Sequence, residues 1–223
     1  MSYLYDNWLN IQYSYSSSSW FILNQAYSER HRAYHTWDHI ETMLRRLDEL
    51  QHLATAPNII RSAIFWHDSV YNTGSVIETK SEKHYNLIPD SVNVIQSAEL
   101  FMNHEKAKLS YYKNAVLSMI LGTVDHIHAS PTFEYYPGFS NDYKLFLDLD
   151  LSGFADSYDK FMENGNNIRK EFSFVSDEDF IVARKQIYMK FLHAFPLYKL
   201  PETNELWGKK AYDNLLKGYK DIK

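Results

Sequence analysis

The sequence predicts an all-α protein, one helical bundle over residues 1–223. Glycine and proline are scarce, at 7 and 6 residues, so few positions interrupt a helix. Apolar residues recur near the helical period of 3.6 over most of the chain. The length is about one and a half times a typical ~150-residue domain, and neither an internal repeat nor a long linker divides it.

Residues 1–12 read as a first helix. The polar stretch Tyr13–Ser19 breaks it, and its last serines can cap a helix starting at Trp20. A third helix over 37–53 carries the stripe Trp37, Ile40, Met43, Leu44, Leu47 and Leu50. Pro57 suits the first turn of a fourth, running to Asp68. Residues 69–90 are polar, end at Pro89–Asp90, and read as a long loop with room for one helical turn. Helices follow near 91–104 and 107–127, then a loop marked by Pro131, Pro137 and Gly138. Four more are expected over 141–155, 156–172, 177–194 and 202–220.

Composition narrows the chemistry. The chain has no cysteine, which removes disulfides, thiolate metal sites and a cysteine nucleophile. A net charge of −5 argues against a general nucleic-acid binder. The slight lysine excess of the last thirty or so residues reads as a solvated helix surface. No apolar run approaches the ~18–20 residues of a membrane span. The first cationic residue is Arg30, so the start lacks the basic region of a secretory signal, and a cytoplasmic protein is expected. Glycine-rich phosphate loops and a GxSxG elbow are absent. Histidine and carboxylate remain.

Ile60, Ala63, Ile64 and His67 share one helical face, which sets an imidazole in line with a core stripe and Asp68 beside it. A buried carboxylate needs a cation or hydrogen bonds; the alternative is an exposed acid at a helix end. His35 and His39 are four apart at the start of the third helix, a spacing that can bring both rings to one side for a metal. Otherwise one caps the helix and the other packs on Trp37. In the 146–151 segment, Phe146, Leu147, Asp150 and Leu151 fall on one apolar face, continued by Phe154. Asp148 turns roughly 160° away at ~100° per residue, so Asp150 is the acid that calls for a partner. In an irregular segment both would be wet. His126, a turn after Thr123, is a further ligand, a substrate contact or a helix-terminal histidine. Arg169, Lys170 and Arg184 lie on the C-terminal helices; a guanidinium suits phosphate, although most helical arginines are surface or ion-pair residues.

The order His, His-Asp, Asp on separate helices resembles the HD superfamily of metal-dependent phosphohydrolases, and within it a bacterial family of predicted HD phosphohydrolases. The signatures are Tyr34-His35-x-x-x-His39-Ile40, Ala63-Ile64-Phe65-Trp66-His67-Asp68-x-Val70-Tyr71 and Asn93-x-x-x-Ser97-Ala98-Glu99-Leu100-Phe101. They continue as Ile120-x-x-Thr123-x-x-His126, Phe146-Leu147-Asp148-x-Asp150-Leu151 and Ile168-Arg169-x-Glu171-Phe172. The resemblance runs from about Tyr27 to the C-terminus, with its core motifs in about 27–155. The first motif is also similar to the YHNxxHA signature of cyclic-nucleotide phosphodiesterases, and Asp150-Leu151-Ser152 to their last ligand motif. Two positions depart: Thr36 stands where the phosphodiesterase pattern has asparagine, and Val94 where many relatives have an acid.

The resemblance implies a divalent metal (Mn, Fe, Co, Ni, Zn or Mg) held by His39, His67, Asp68 and Asp150. It makes His35 the general acid and Asp68 both ligand and catalytic residue. His126, Arg169 and Arg184 are candidate substrate contacts. The expected reaction is hydrolysis of a phosphate ester or anhydride of a small molecule, a nucleotide above all. A non-catalytic metal- or nucleotide-binding module and a diiron oxygenase are the alternatives.

Overall fold

A computed structural model describes residues 2–78, 83–107 and 109–222. The helices are α1 (Tyr3–Leu9), α2 (Ser19–Tyr27), α3 (Trp37–Glu49), α4 (Pro57–Trp66), α5 (Asp90–His104), α6 (Ser110–Gly122), α7 (Phe139–Asp150), α8 (Tyr158–Glu171), α9 (Asp177–His193) and α10 (Pro201–Asp221). Short 3-10 turns follow α1, α3, α6 and α7. One hairpin, β1 (Gly74–Glu78) and β2 (Lys83–Leu87), interrupts them, so the fold is all-α as the sequence predicts. No helix of the described residues is long and apolar enough to cross a membrane.

Each start has a local cause. The Ser2, Thr36, Ser157 and Ser176 side chains accept backbone N–H bonds at the starts of α1, α3, α8 and α9, satisfying donors that a helix leaves open. Pro57 and Pro201 open α4 and α10, where their missing N–H costs nothing. Gly138 precedes α7 at φ +92°, and a Cβ there would sit 2.4 Å from Thr55 Oγ1, so both conformation and space require glycine.

The hydrophobic core forms around α4. Every residue from Ile59 to Trp66 is buried, which a one-sided stripe did not anticipate. A helix apolar on all sides belongs in the middle, and α4 packs against α3, α5, α6 and α7. A second, smaller cluster joins Phe161, Tyr188, Leu197, Tyr198, Ala211 and Leu215 of the C-terminal segments. Trp207 packs against both clusters.

α7 ties the two together through acids. Asp142 accepts from the Thr55 and Ala56 N–H groups at the start of α4, 2.7 Å each, and from Tyr136 at 2.8 Å. Asp148 accepts from Lys199 N (2.7 Å), Leu200 N (2.9 Å) and the Thr203 hydroxyl (2.6 Å) at the start of α10. Asp148 does turn away from Asp150, but into a second buried interface rather than into water; it is 1% exposed.

The expected loop over 69–90 holds the hairpin instead. Its strands pair antiparallel with Val76 opposite Tyr85, and residues 79–82 lie outside the described ones. Cross-strand pairing of two short polar runs leaves little periodicity to read. The hairpin lies on the C-terminal segments: Thr73 Oγ1 donates to the Glu171 carbonyl (2.9 Å), and Ser176 N donates to the Tyr85 hydroxyl (2.9 Å). Of the helix expected over 107–127, α6 covers 110–122 and Lys108 lies outside the described residues.

Candidate functional site

The elements deliver their histidines and acids to one cavity of about 810 Å³, open mouth included. α3 supplies His39, which is buried on its inner side. His67 is the C-cap of α4, and Asp68 follows it. Asp150 ends α7 and His126 closes the 3-10 turn after α6. His39 Nε2 lies 3.1 Å from Asp150 Oδ1 and 3.8 Å from Asp68 Oδ2. His67 Nε2 lies 3.1 Å from Asp68 Oδ2 and 3.5 Å from Asp150 Oδ1. The other Asp150 oxygen, Oδ2, is 2.7 Å from His126 Nε2. The sequence-predicted ligands His39, His67, Asp68 and Asp150 therefore converge, and His126 joins them.

His39, His67 and Asp150 could hold a metal ion. Ligand bonds of about 2.0–2.2 Å place neighbouring donor atoms roughly 3.0–3.5 Å apart in octahedral or tetrahedral geometry, close to the spacings here. The donor atoms of His39, His67 and Asp150 all lie within 4.8 Å of one another. His67 Nδ1 donates to the Ile64 carbonyl at 2.9 Å, which fixes the tautomer and turns Nε2 inward. That Nε2 is buried without a hydrogen-bond partner.

The electrostatics agree. Burial disfavours an imidazolium at His67, yet the Asp68 and Asp150 charges hold it well above the usual range. Burial also disfavours the Asp68 and Asp150 carboxylates, and the His67 charge outweighs it, so both titrate below the usual range. In the ion-free protein the His67 imidazolium is thus the cation between two carboxylates, and a metal ion bound there would take the place of its Nε2 proton.

His35 reaches the same cavity by another route. It precedes Thr36, the α3 N-cap, so it is not on the helix face with His39, as its spacing suggested. Asparagine and threonine are both helix N-caps, which gives Thr36 a structural reason to replace asparagine. Glu171, the last residue of α8, holds the loop. Its Oε1 accepts the N–H groups of Ala33 (2.9 Å), Tyr34 (2.7 Å) and His35 (2.9 Å), and Oε2 lies 2.8 Å from His35 Nδ1. Tyr71 donates to Oε2 at 3.1 Å and stacks on the His35 ring, centroids 3.9 Å apart. Burial opposes the charged form of His35, but the Glu171 bond and charge raise its pKa overall. Burial pushes Glu171 up, while the hydrogen bond to His35 leads the effects that bring it down to about 2. Arg32 steadies the neighbouring turn by donating to the carbonyls of His35, Asp68 and Ser69.

The sequence singled out Arg169 in the motif that ends at Glu171, and that choice is corrected. The Arg169 guanidinium donates to the Phe172 and Val175 carbonyls and to Asp177, and it lines a separate groove rather than this cavity. Arg184 does line the cavity. Glu171 was missed, although its spacing offered a sign: it follows Phe161, Asn164 and Ile168 at helical intervals, a carboxylate on an inward stripe. Asp90 was also missed. It opens α5 and lines the cavity, as does Val94 one turn later. The acid absent at Val94 is thus present one turn earlier.

Compared with models of protein families, with curated proteins and with solved structures, the chain gives no match.

Proposed function

We propose that the protein is a cytoplasmic metal-dependent phosphohydrolase acting on a small phosphate ester or anhydride, a nucleotide being the first class to test. The observation that carries this reading is the convergence of His39, His67, Asp68 and Asp150, with the buried His67 Nε2 facing both carboxylates without an aligned hydrogen bond to either. The resemblance of its motifs to HD phosphohydrolases points the same way.

Mixed imidazole and carboxylate donors suit Mn, Fe, Co, Ni or Zn. A divalent ion held by these four residues would supply an acidified water and polarise a phosphoryl oxygen. The chain's own groups complete the chemistry. His35 keeps Nδ1 on Glu171, which leaves its Nε2 to hold a proton for the leaving oxygen. Glu171 fixes the tautomer and stabilises the imidazolium while pinning three backbone amides of the same loop. The His126 imidazole steadies the second Asp150 oxygen.

Elemental analysis of the purified chain beside Asp68→Ala tests the metal, and hydrolysis of a panel of phosphate esters and nucleotides tests the reaction. Near-stoichiometric metal and turnover in the first, with both lost in a folded Asp68→Ala, are expected. A metal-free wild type that takes up neither Mn nor Ni would end the proposal in favour of a binding module. Bound iron with oxygen uptake and no phosphate release would end it in favour of an oxygenase.

A further inference from the structure

Three arginines are buried among the described residues, and they are treated differently. Arg32 donates to Glu29 at 2.8 Å and to three carbonyls. Arg61 donates to Asn7 (3.0 Å), Asn58 (3.2 Å) and Asp48 (2.7 Å). Arg184, 8% exposed, makes no hydrogen bond and no ion pair with any described residue. Its Nε is buried and unpartnered, and among the described residues its one charge-stabilising contact is the face of Tyr188, 4.8 Å from the guanidinium carbon.

Removing a guanidinium from water without a counter-charge is costly, and one ring face offsets little of that. The fold satisfies its other two buried guanidiniums and leaves this one open toward the cavity. Such a group fits an anion that arrives with a ligand, since guanidinium binds phosphate and carboxylate through charge-assisted bonds.

Arg184 comes from a different helix than the metal cluster. Arg184 lies on α9, whereas the cluster is built from α3, α4 and α7, and no ion pair joins Arg184 to Asp68 or Asp150. Apolar wall residues Phe154, Phe161 and Phe191 line the same cavity.

We propose that the cavity takes a ligand with two anionic ends, one at the His/Asp cluster and a second, phosphate or carboxylate, on Arg184, with an apolar body between them. The two-ended substrate rests on the phosphohydrolase reading; the anion site at Arg184 does not.

The test uses the full chain stripped of metal, so that the cluster cannot bind the anion. Phenyl phosphate and benzoate are titrated into wild type, Asp68→Ala, Arg184→Met and Arg184→Lys by calorimetry. Wild type and Asp68→Ala should bind at least one probe equally well. Arg184→Met should bind roughly tenfold or more weakly, the scale of a charge-assisted bond, and Arg184→Lys should recover part of the loss. Tighter phenyl phosphate assigns a phosphate end, and tighter benzoate a carboxylate end. Saturable binding that ignores Arg184→Met, or no saturable binding of either probe, overturns the proposal. Melting of the ligand-free proteins guards against a structural explanation. Arg184→Met should melt no lower than wild type, because it removes an uncompensated buried charge; a clear drop overturns the proposal too. If the chain proves to hold no metal but binds the probe through Arg184, the hydrolase reading falls and the anion site stands. Metal and turnover without Arg184-dependent binding give the reverse.

Discussion

The bundle of α1–α7 and the layer formed by α8–α10 contribute to one cavity in different ways. The bundle has the large core centred on α4, and it supplies every candidate metal donor from helix ends or just beyond them. The layer has a small aromatic cluster and supplies no donor to the four-residue set, yet Glu171 orients His35 and Arg184 presents an unpaired charge. Rigid, deeply packed elements hold the groups whose spacing is strict. In the proposed reaction the layer packed against them would set the proton chemistry and the shape of what can bind. Separating metal binding from these other roles by mutation is the direct way to break this comparison.

The largest separation should come from two acids on one helix. Asp150→Ala removes a donor shared by His39, His67 and His126 and should abolish metal binding and turnover while the chain stays folded. Asp148→Ala, two residues away, leaves the Lys199 and Leu200 amides without their acceptor, while the Thr203 hydroxyl keeps the Leu200 carbonyl. It should lose about 2–4 kcal/mol of stability in urea melts, the cost of orphaned buried donors, and keep its metal. If Asp148→Ala loses metal in proportion to its stability, bundle and layer are not separable.

Glu171→Gln should come next. The amide oxygen still accepts backbone N–H groups, but the charge that supports an imidazolium at His35 is gone. Metal content should be unchanged and kcat should fall roughly a hundredfold, within the range that general acids contribute. The limb of the pH–rate profile set by His35 should shift to lower pH. An unaltered profile would remove His35 as the acid.

The bundle was readable because its donors sit in apolar stripes whose period shows where each side chain points. The stripes put Asp150 and His67 on inward faces with Asp68 beside the second, but left wet alternatives open, and only the resemblance to HD motifs joined them into one set. His35 was found by motif, but its helical placement was wrong, because the helix starts only after Thr36, its N-cap. The layer was harder. Arg169 and Glu171 are two residues apart, and a guanidinium suggests phosphate more readily than a carboxylate suggests a brace. Only the tertiary structure shows that Glu171 meets the three amides of a loop more than a hundred residues earlier. Nothing local marks Arg184 as lacking a partner, since an absent partner is a property of the whole fold. The hairpin was hidden by its short polar strands.

A pH effect on folding should be smaller and has a definite sign. Glu171 titrates at about 2 in the folded chain against an ordinary 4.5, so its contribution is present above about pH 4.5 and lost as pH falls toward 2. His35 is raised above 6.5, so its contribution is full below that value and lost as pH rises through the folded pKa. The pair should therefore stabilise most between about pH 4.5 and 6.5, by at most about 3 kcal/mol for the Glu171 shift. Urea melts of metal-free wild type and Glu171→Gln across pH 3–9 would show it as a difference that peaks in that window and shrinks on both sides. A flat difference would mean that the amides alone, not the charge, make Glu171 matter.

The smallest effect should belong to Arg169, and it sharpens the contrast with Arg184. Both are arginines of the layer, but Arg169 is satisfied by two carbonyls and by Asp177, whose side chain is 79% exposed. An ion pair that wet contributes little, so the carbonyl bonds at the end of α8 carry most of its value. Arg169→Ala should cost about 1 kcal/mol of stability and leave metal content, probe binding and turnover as in wild type. The same experiments on Arg184→Met should show the opposite pattern, with stability kept and anion binding lost. If Arg169→Ala instead weakened anion binding as much as Arg184→Met, the anion would sit in the groove that both arginines line, away from the His/Asp cluster, and the layer would carry a site of its own.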